Sequence, residues 1–201
     1  PVTEMITGVD LVREMIRIAE GEPLSFSQED LKIKGHAIEI RVCAEDPSNN
    51  FLPDIGKLVT YRRPQGVGVR IDDGYEEGMD IPIYYDPMIA KLITYGTDRQ
   101  QAIARMIRAI DEYQITGVQT TLGFCRYALQ HPAFLDGSFD TKFVEKYFNP
   151  ECLKTTLSEE EEKIAVSVAA YVLEKNKHVS APPSNNNTFA TKSAWKWRAK
   201  W

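Results

Sequence analysis

HAIEIRVCAEDP, the run from His36 to Pro47, alternates between apolar and charged residues in the way expected of a half-buried β-strand. The apolar side chains of the run fall on one face: Ile38, Ile40 and Val42. The polar and thiol side chains fall on the opposite face: Glu39, Arg41, Cys43 and Glu45. A planar guanidinium held on a strand can grip a carboxylate, a phosphate or a developing oxyanion, so Arg41 is the first candidate for a functional residue.

The elements on either side of this run predict an α+β fold in which helices cover an antiparallel β-sheet. Residues typical of strands, punctuated by Pro, Gly and Asn, predict four of them: His36–Ala44, Lys57–Arg63, Gly66–Asp72 and Met88–Tyr95. Apolar residues at helical spacing predict five helices: Thr3–Glu20, a helix from Thr97 to about Tyr113, Val118–Leu129, Thr141–Phe148 and Ser158–Asn176. Two of these helices begin with a predicted capping box: Thr97 with Gln100, and Ser158 with Glu161.

The chain divides by composition into four segments. Residues 1–34 form a helix and a connector, and residues 35–150 form the compact unit. An extra C-terminal helix occupies residues 151–177, and residues 178–201 form a flexible linker and tail that is rich in Asn, Ser, Thr and Pro. The tail ends in WKWRAKW, which is either a docking segment or a plain interdomain linker.

The composition of the 201 residues argues against several classes of protein. A net charge of −5 provides no basic surface for nucleic acid, and no apolar run approaches the ~20 residues that a membrane span needs. The three cysteines are far apart and lack CxxC spacing, which predicts neither a metal site nor a disulfide framework. They favour a reducing, cytoplasmic location, and nothing near Cys43 in the sequence predicts a depressed thiol pKa.

Five longer motifs occur in order across roughly residues 1–150: PVTEMITGVDLV, GHAIEIRVCAEDP, FLPDIGKL, YYDPMIAKLITYG and RMIRAIDEYQITGVQTT. Together they resemble the C-terminal part of biotin carboxylase, the ATP-grasp component of acetyl-CoA, propionyl-CoA and pyruvate carboxylases. Several motifs in the family's order are far more specific than any single short pattern. The resemblance implies that residues 1–34 are the end of the ATP-grasp region and that residues 35–150 are a biotin carboxylase C-terminal domain.

The resemblance also implies a ligase reaction in two steps. ATP, with Mg²⁺ on its phosphates, activates bicarbonate as carboxyphosphate, and the released CO₂ then carboxylates N1′ of biotin. The implied partners are a biotin carboxyl carrier domain or protein, a carboxyltransferase subunit and a second copy in a homodimer. In the family the metal-binding carboxylates, the general-base Glu and the phosphate loop precede the PVTE motif, whereas this chain opens on Pro1 and reads as a piece of a longer protein. We therefore expect the chain alone to be inactive and to hold no cofactor tightly.

The family's functional residues match four positions of this sequence. Arg41 matches the Arg of the HAxExR strand, which contacts bicarbonate and the ureido oxygen of biotin and would stabilise the enolate formed when N1′ loses its proton. Glu39 is expected to orient Arg41 or to pair elsewhere. Asp86 either helps to fix Arg41 or the biotin site, or serves a turn before Pro87. Arg70 matches an Arg at the homodimer interface of bacterial relatives, and an exposed strand arginine is the alternative.

Two other functions stay open at the level of sequence. One is a non-catalytic module for dimerisation and docking within a biotin-dependent carboxylase complex. The other is a different ATP-grasp ligase, of the carbamoyl-phosphate or purine type, which would not explain HAIEIR and YYDPM together. The final acyl acceptor is not readable here, because the carboxyltransferase selects it.

Overall fold

A three-stranded antiparallel sheet lies at the centre of the first of two units, Pro1–Lys154. The computed structural model describes residues 1–82, 84–154 and 158–177. The predicted tail, residues 178–201, lies outside the described residues. The second unit begins at Thr155, and its described part is one helix.

Strands and helices follow one another in the predicted order of types, except that an unpredicted short strand, Gln114–Thr116, lies between two of the later helices. The strands are β1 His36–Cys43, β2 Glu45–Asp46, β3 Leu52–Pro53, β4 Gly56–Lys57, β5 Thr60–Arg62, β6 Val69–Asp73, β7 Asp80–Ile81, β8 Met88–Gly96 and β9 Gln114–Thr116. The helices are α1 Val2–Thr7, α2 Leu11–Ala19, α3 Arg99–Glu112, α4 Leu122–Gln130, α5 Pro132–Asp136, α6 Phe143–Tyr147 and α7 Glu159–Lys177. Single 3₁₀ turns lie at Gln28–Asp30, Pro47–Asn49 and Pro150–Leu153.

The central sheet has the strand order β1-β8-β6, and both strand pairs are antiparallel. The register between β1 and β8 places His36 opposite Gly96 and Arg41 opposite Lys91. A bulge interrupts this pair between Val42 and Cys43. The predicted α+β class is confirmed, and β1 and β8 lie within a residue of their predicted bounds.

The apolar face of the sheet packs against α3 and forms the core. Val42 and Leu92 on the sheet and Met106 on α3 are completely shielded from solvent. The other buried side chains of α3 follow helical spacing: Ala102, Ile103, Ala109 and Ile110. Burying a side chain such as Leu92 or Met106 contributes about 1.5–3 kcal/mol, so this layer is the main source of stability.

The start of α3 differs by one residue from the predicted capping box. Asp98 Oδ1 accepts a hydrogen bond from the Gln101 backbone N–H at 2.8 Å, and Gln101 Oε1 accepts one from the Thr97 N–H at 3.0 Å. The prediction of Thr97 with Gln100 is therefore wrong. Thr97 instead donates its hydroxyl to Asp98 at 3.2 Å, and the carboxylate, which is the stronger acceptor, caps the helix.

The predicted strand Lys57–Arg63 is two strands with different partners. Gly56–Lys57 pairs with β7, and Thr60–Arg62 pairs with β9. Between them the Leu58 N–H donates to the Met79 carbonyl at 2.9 Å, and the Val59 N–H donates to the Thr116 carbonyl at 2.8 Å. The chain changes partner at this point, which an alternating pattern alone does not reveal.

The predicted helix Thr3–Glu20 is also two helices. Gly8 ends α1 with a left-handed backbone, φ 75°, and its N–H donates to the Glu4 carbonyl at 2.9 Å. Asp10 begins α2 by accepting from the Arg13 N–H at 3.0 Å. The apolar residues Val12 and Ile16 of α2 are exposed in this structure.

Three later helices depart from the prediction in their bounds. Leu122, not Val118, begins α4. Before it the chain turns at Gly117, which has φ 101° and whose missing Cβ would clash with the Lys57 carbonyl oxygen. Helix α5 was not predicted; its first turn is capped by His131 Nδ1, which accepts from the Ala133 N–H at 3.2 Å. Helix α6 is shorter than the predicted Thr141–Phe148.

Helix α7 has the predicted reciprocal cap. The Ser158 N–H donates to Glu161 Oε2 at 2.9 Å, and the Glu161 N–H donates to Ser158 Oγ at 3.3 Å. Its predicted inner face is exposed: Ile164, Val168, Tyr171 and Val172. Neither α7 nor any other described helix combines the length and the hydropathy needed to cross a bilayer.

Candidate functional site

The polar face of the central sheet carries three of the four predicted site residues. Because side chains alternate along a strand, Glu39 and Arg41 of β1 share this face with Lys91 of β8 and with Arg70 and Asp72 of β6. The register sets Arg41, Lys91 and Asp72 in one row across the three strands. Helix α1 lies over part of this face, where Ile93 is fully buried outside the main core cluster.

Arg41 and Lys91 are adjacent positive charges. Arg41 is exposed at the edge of the sheet, and Lys91 is half-buried beside it. Among the described residues, neither side chain forms an ion pair within 4.0 Å. Like charges directly opposite each other on paired strands are destabilising, and a shared oxyanion would relieve that repulsion. Sequence reasoning missed Lys91, because only the strand register shows that it faces Arg41.

Glu39 does not orient Arg41 in this structure. Among the described residues, its side chain forms no hydrogen bond or ion pair with Arg41.

Asp86 fixes a turn at the mouth of a cleft. Its Oδ1 accepts a hydrogen bond from the Met88 N–H at 2.8 Å, which holds the chain as it enters β8. Asp86 and Lys91 both line an open cleft of about 750 Å³, together with Tyr85 and Asp72. Asp86 therefore lies on the same cleft as Lys91 and Asp72, whereas Arg41 does not line this cleft, and within the described residues Asp86 forms no ion pair with Arg41.

The surroundings of Cys43 keep its thiol protonated. Burial, together with the carboxylates of Glu45 and Asp86 and against the opposing charge of Arg41, raises the pKa of Cys43 to about 11. Burial also raises the pKa of the Glu45 carboxyl, and Asp86 adds to that effect. Cys43 is thus not a thiolate nucleophile at neutral pH, as its sequence context indicated.

Thr121 contacts β1 at the position from which Arg41 projects. Its hydroxyl donates to the Arg41 carbonyl at 3.0 Å and accepts from the Cys43 N–H at 3.1 Å. Its own N–H donates to the Cys43 carbonyl at 3.1 Å. Thr121 is 7% exposed and lies about 80 residues from these partners, so no local signal in the sequence indicates the contact.

The described residues contain no group of three His, Cys, Asp or Glu side chains arranged to hold a metal ion. The ATP-bound Mg²⁺ implied by the resemblance would therefore need ligands other than these.

The family described as biotin carboxylase C-terminal domain matches residues 39–146, more than half of the chain. The chain belongs to this family. Residues 1–27 match a second family, the carbamoyl-phosphate synthase L chain ATP binding domain. The predicted resemblance is therefore confirmed.

Relatives and solved structures agree with the family. The chain is 52% identical over 147 residues to biotin carboxylase 1 of Bacillus subtilis (strain 168), covering 73% of this chain and 33% of the relative. It is 47% identical over 177 residues to the mitochondrial propionyl-CoA carboxylase alpha chain of Homo sapiens, covering 86% and 24%. The biotin carboxylase domain of a thermophilic 2-oxoglutarate carboxylase bound to bicarbonate matches with a TM-score of 0.74 and 42% identity, covering 78% of this chain and 35% of that one. The chain thus spans a third or less of these two curated relatives.

Arg70 joins the biotin carboxylase C-terminal domain to the segment that matches the ATP binding domain. Its Nη1 lies 3.0 Å from Glu4 Oε2 on α1, and its Nε lies 2.8 Å from Asp72 Oδ1. The hydrogen bonds that Arg70 donates to the carboxylates of Asp72 and then of Glu4 raise the pKa of its guanidinium. The side chain remains 40% exposed, so part of it is accessible to a partner.

Proposed function

We propose that this chain is the C-terminal part of a biotin carboxylase, which carboxylates biotin on a carrier domain with ATP and bicarbonate. The observation that supports the proposal best is the pairing of exposed Arg41, on the strand that carries the family's HAxExR motif, with half-buried Lys91 directly opposite it on β8. In this proposal Arg41 is the catalytic residue, and Glu39 and Asp86 belong to the same biotin and bicarbonate side of the site.

The chemistry asked of Arg41 is electrostatic. When N1′ of biotin loses its proton, negative charge develops on the ureido oxygen, and a fixed guanidinium stabilises that charge without reorganising. Lys91 adds a second positive charge in the same row and would hold a small oxyanion such as bicarbonate against Arg41. The Asp86 turn fixes the entry to β8 and hence the position of Lys91.

ATP, Mg²⁺ and biotin enter this proposal as substrates of the whole enzyme. The match to an ATP binding domain covers 27 residues, and the described residues offer no cluster of metal ligands. We therefore expect the chain alone to show no bicarbonate-dependent ATP hydrolysis. Turnover above a buffer control would contradict this expectation.

The proposed partners are a biotin carboxyl carrier, a carboxyltransferase subunit and a second copy of the chain. The part of Arg70 that stays exposed and the fully accessible Val67 beside it support an interface on this surface. The proposed location is the cytoplasm, on the ground of three separated free cysteines.

The test of the proposed function needs a complete enzyme. Residues 1–201 would be joined behind the part of Bacillus subtilis biotin carboxylase 1 that precedes the matched region, and folding would be checked by circular dichroism and size exclusion. Arg41→Ala should lower biotin carboxylation by about 100-fold in kcat/KM and leave the KM for ATP unchanged. Arg62→Ala is the matched control, because Arg62 is also an exposed strand arginine. Unchanged carboxylation by Arg41→Ala would contradict the assigned role.

The second candidate is a non-catalytic dimerisation or docking module, favoured by the exposed apolar residues of α7 and by Val67. Analytical ultracentrifugation of the chain tests the dimerisation that this second candidate requires. A monomer without affinity for a biotinylated carrier would count against the module.

A further inference from the structure

Thr121 departs from the usual behaviour of a residue at the start of a helix. A Thr at this position normally accepts a hydrogen bond from the first turn, yet the Thr121 hydroxyl makes no such bond in α4. It is directed instead to β1, where it donates to the Arg41 carbonyl at 3.0 Å and accepts from the Cys43 N–H at 3.1 Å.

The contact falls at a weak point of the sheet. Strand β1 is an edge strand, and its pairing with β8 is interrupted by the bulge between Val42 and Cys43. The backbone groups of Arg41 and Cys43 that Thr121 contacts would otherwise lack a partner strand. A single residue therefore holds the backbone on both sides of Val42, immediately next to the Arg41 side chain.

We propose that Thr121 is a positioning residue for Arg41, which fixes the β1 edge through one hydroxyl that acts as donor and acceptor at once. The contact requires a side-chain group that both donates and accepts, as the Thr121 hydroxyl does. An apolar side chain of the same shape can neither donate nor accept a hydrogen bond. The proposal rests on the proposed function, since it needs Arg41 to act on biotin. Misplacing a catalytic group by a fraction of an ångström to one ångström lowers rates by about 10-fold to 100-fold.

The first experiment uses the chain as it exists and does not depend on activity. Amide hydrogen exchange would be followed in Thr121→Val, with Thr120→Val as the matched control, because Thr120 is adjacent and makes no side-chain hydrogen bond among the described residues. We expect the Cys43 amide to exchange about 10-fold faster in Thr121→Val, relative to the Leu92 amide of the same sheet. Equal acceleration of both amides would indicate general destabilisation and would overturn the proposal that Thr121 fixes the β1 edge.

The second experiment uses the complete chimera. Thr121→Val should lower kcat/KM for free biotin by about 10-fold, while biotin-independent, bicarbonate-dependent ATP hydrolysis and the KM for ATP stay as in the parent. Thr121→Ser, which keeps the hydroxyl, should recover most of the activity. If Thr121→Val does not fold, Thr121→Ala removes the hydroxyl without added bulk and takes its place.

The outcomes separate this inference from the proposed function. If Arg41→Ala lowers biotin turnover but Thr121→Val and Thr121→Ala do not, the positioning role is wrong and the proposed function stands. If Arg41→Ala has no effect on biotin turnover, the catalytic role of Arg41 is wrong and the positioning role of Thr121 fails with it. A folded parent chimera that carboxylates no biotin would contradict the proposed function itself. If Thr121→Ser is as impaired as Thr121→Val, the hydroxyl is not the group that matters.

Discussion

The two faces of the central sheet are built from the same strands but differ in role: one is buried in the core, and the other carries charged side chains. On one face Val42 and Leu92 are completely buried against α3, and their neighbours are apolar. On the other face Arg41 and Lys91 stand side by side with no ion pair to a described residue. The apolar face therefore contributes most of the stability. The polar face carries two neighbouring positive charges, Arg41 and Lys91, to which a negatively charged ligand can bind. Substitutions on the two faces should accordingly separate stability from function.

The largest expected effect on stability is on the apolar face. Leu92→Ala should destabilise the first unit by about 3 kcal/mol, because it removes a fully shielded side chain and leaves a cavity. Urea denaturation followed by circular dichroism measures this. A loss below about 1 kcal/mol would mean that the core is not where the structure places it.

A second effect on the core side depends on pH. The hydroxyls of Tyr61 and Tyr113 lie 2.6 Å apart, and burial raises the pKa of Tyr113 to about 12. Since the unfolded value is about 10, the folded state gains stability from this group below pH 10 and loses it as the pH rises from about 10 to about 12.

The difference between wild type and Tyr113→Phe in urea unfolding at pH 8 and pH 11.5 isolates that contribution. Between pH 8 and pH 11.5 the free energy of unfolding should fall less in Tyr113→Phe than in wild type, by up to about 2 kcal/mol. Parallel losses in the two proteins would show that other groups, such as the thiols, account for the alkaline instability.

The charged face should respond in function and not in stability. Lys91→Ala in the complete chimera should lower kcat/KM for biotin carboxylation by about 10-fold, or about 1.4 kcal/mol, while its unfolding free energy changes by about 0.5 kcal/mol or less. The expected change in stability is small because the substitution removes both the repulsion with Arg41 and the attraction to Asp72, which lie on either side of Lys91 in the same row. Lys57→Ala, on the exposed strand β4, is the control. Destabilisation above 1 kcal/mol would show that Lys91 is structural.

The smallest effect is expected for the ion pair between Glu4 and Arg70, which links α1 to the charged face at 3.0 Å. The pair is partly exposed, so a double-mutant cycle with Glu4→Gln and Arg70→Ala should give a coupling of about 0.5 kcal/mol that fades in 1 M salt. A coupling above 2 kcal/mol would mean that the pair is far less accessible to solvent than its geometry implies.

Local patterns in the sequence predict the apolar face well. The alternation of β1 and the helical spacing in α3 each reflect burial of one side of one element, which a short window of residues records. The break of the first helix at Gly8 was missed, because the apolar spacing continues across the glycine into α2. Changes of partner, as between β4 and β5, leave no mark on the pattern of either strand.

The charged face could be predicted only in part. The family motif identifies Arg41, but the register that brings Lys91 beside it is a property of two strands about 50 residues apart. The Thr121 contact spans about 80 residues and uses backbone groups, so the identities of its partners carry no signal at all.

The Thr121 contact with β1 has a consequence for how this chain behaves in concentrated solution. An edge strand offers unpaired N–H and C=O groups to any other extended chain, and an open edge is a template for aggregation. Thr121 occupies the outward groups of Arg41 and Cys43, so the C-terminal end of the free edge is closed. A second strand then has fewer residues of β1 to pair with. The same contact thus shortens the edge through which copies of the domain could associate.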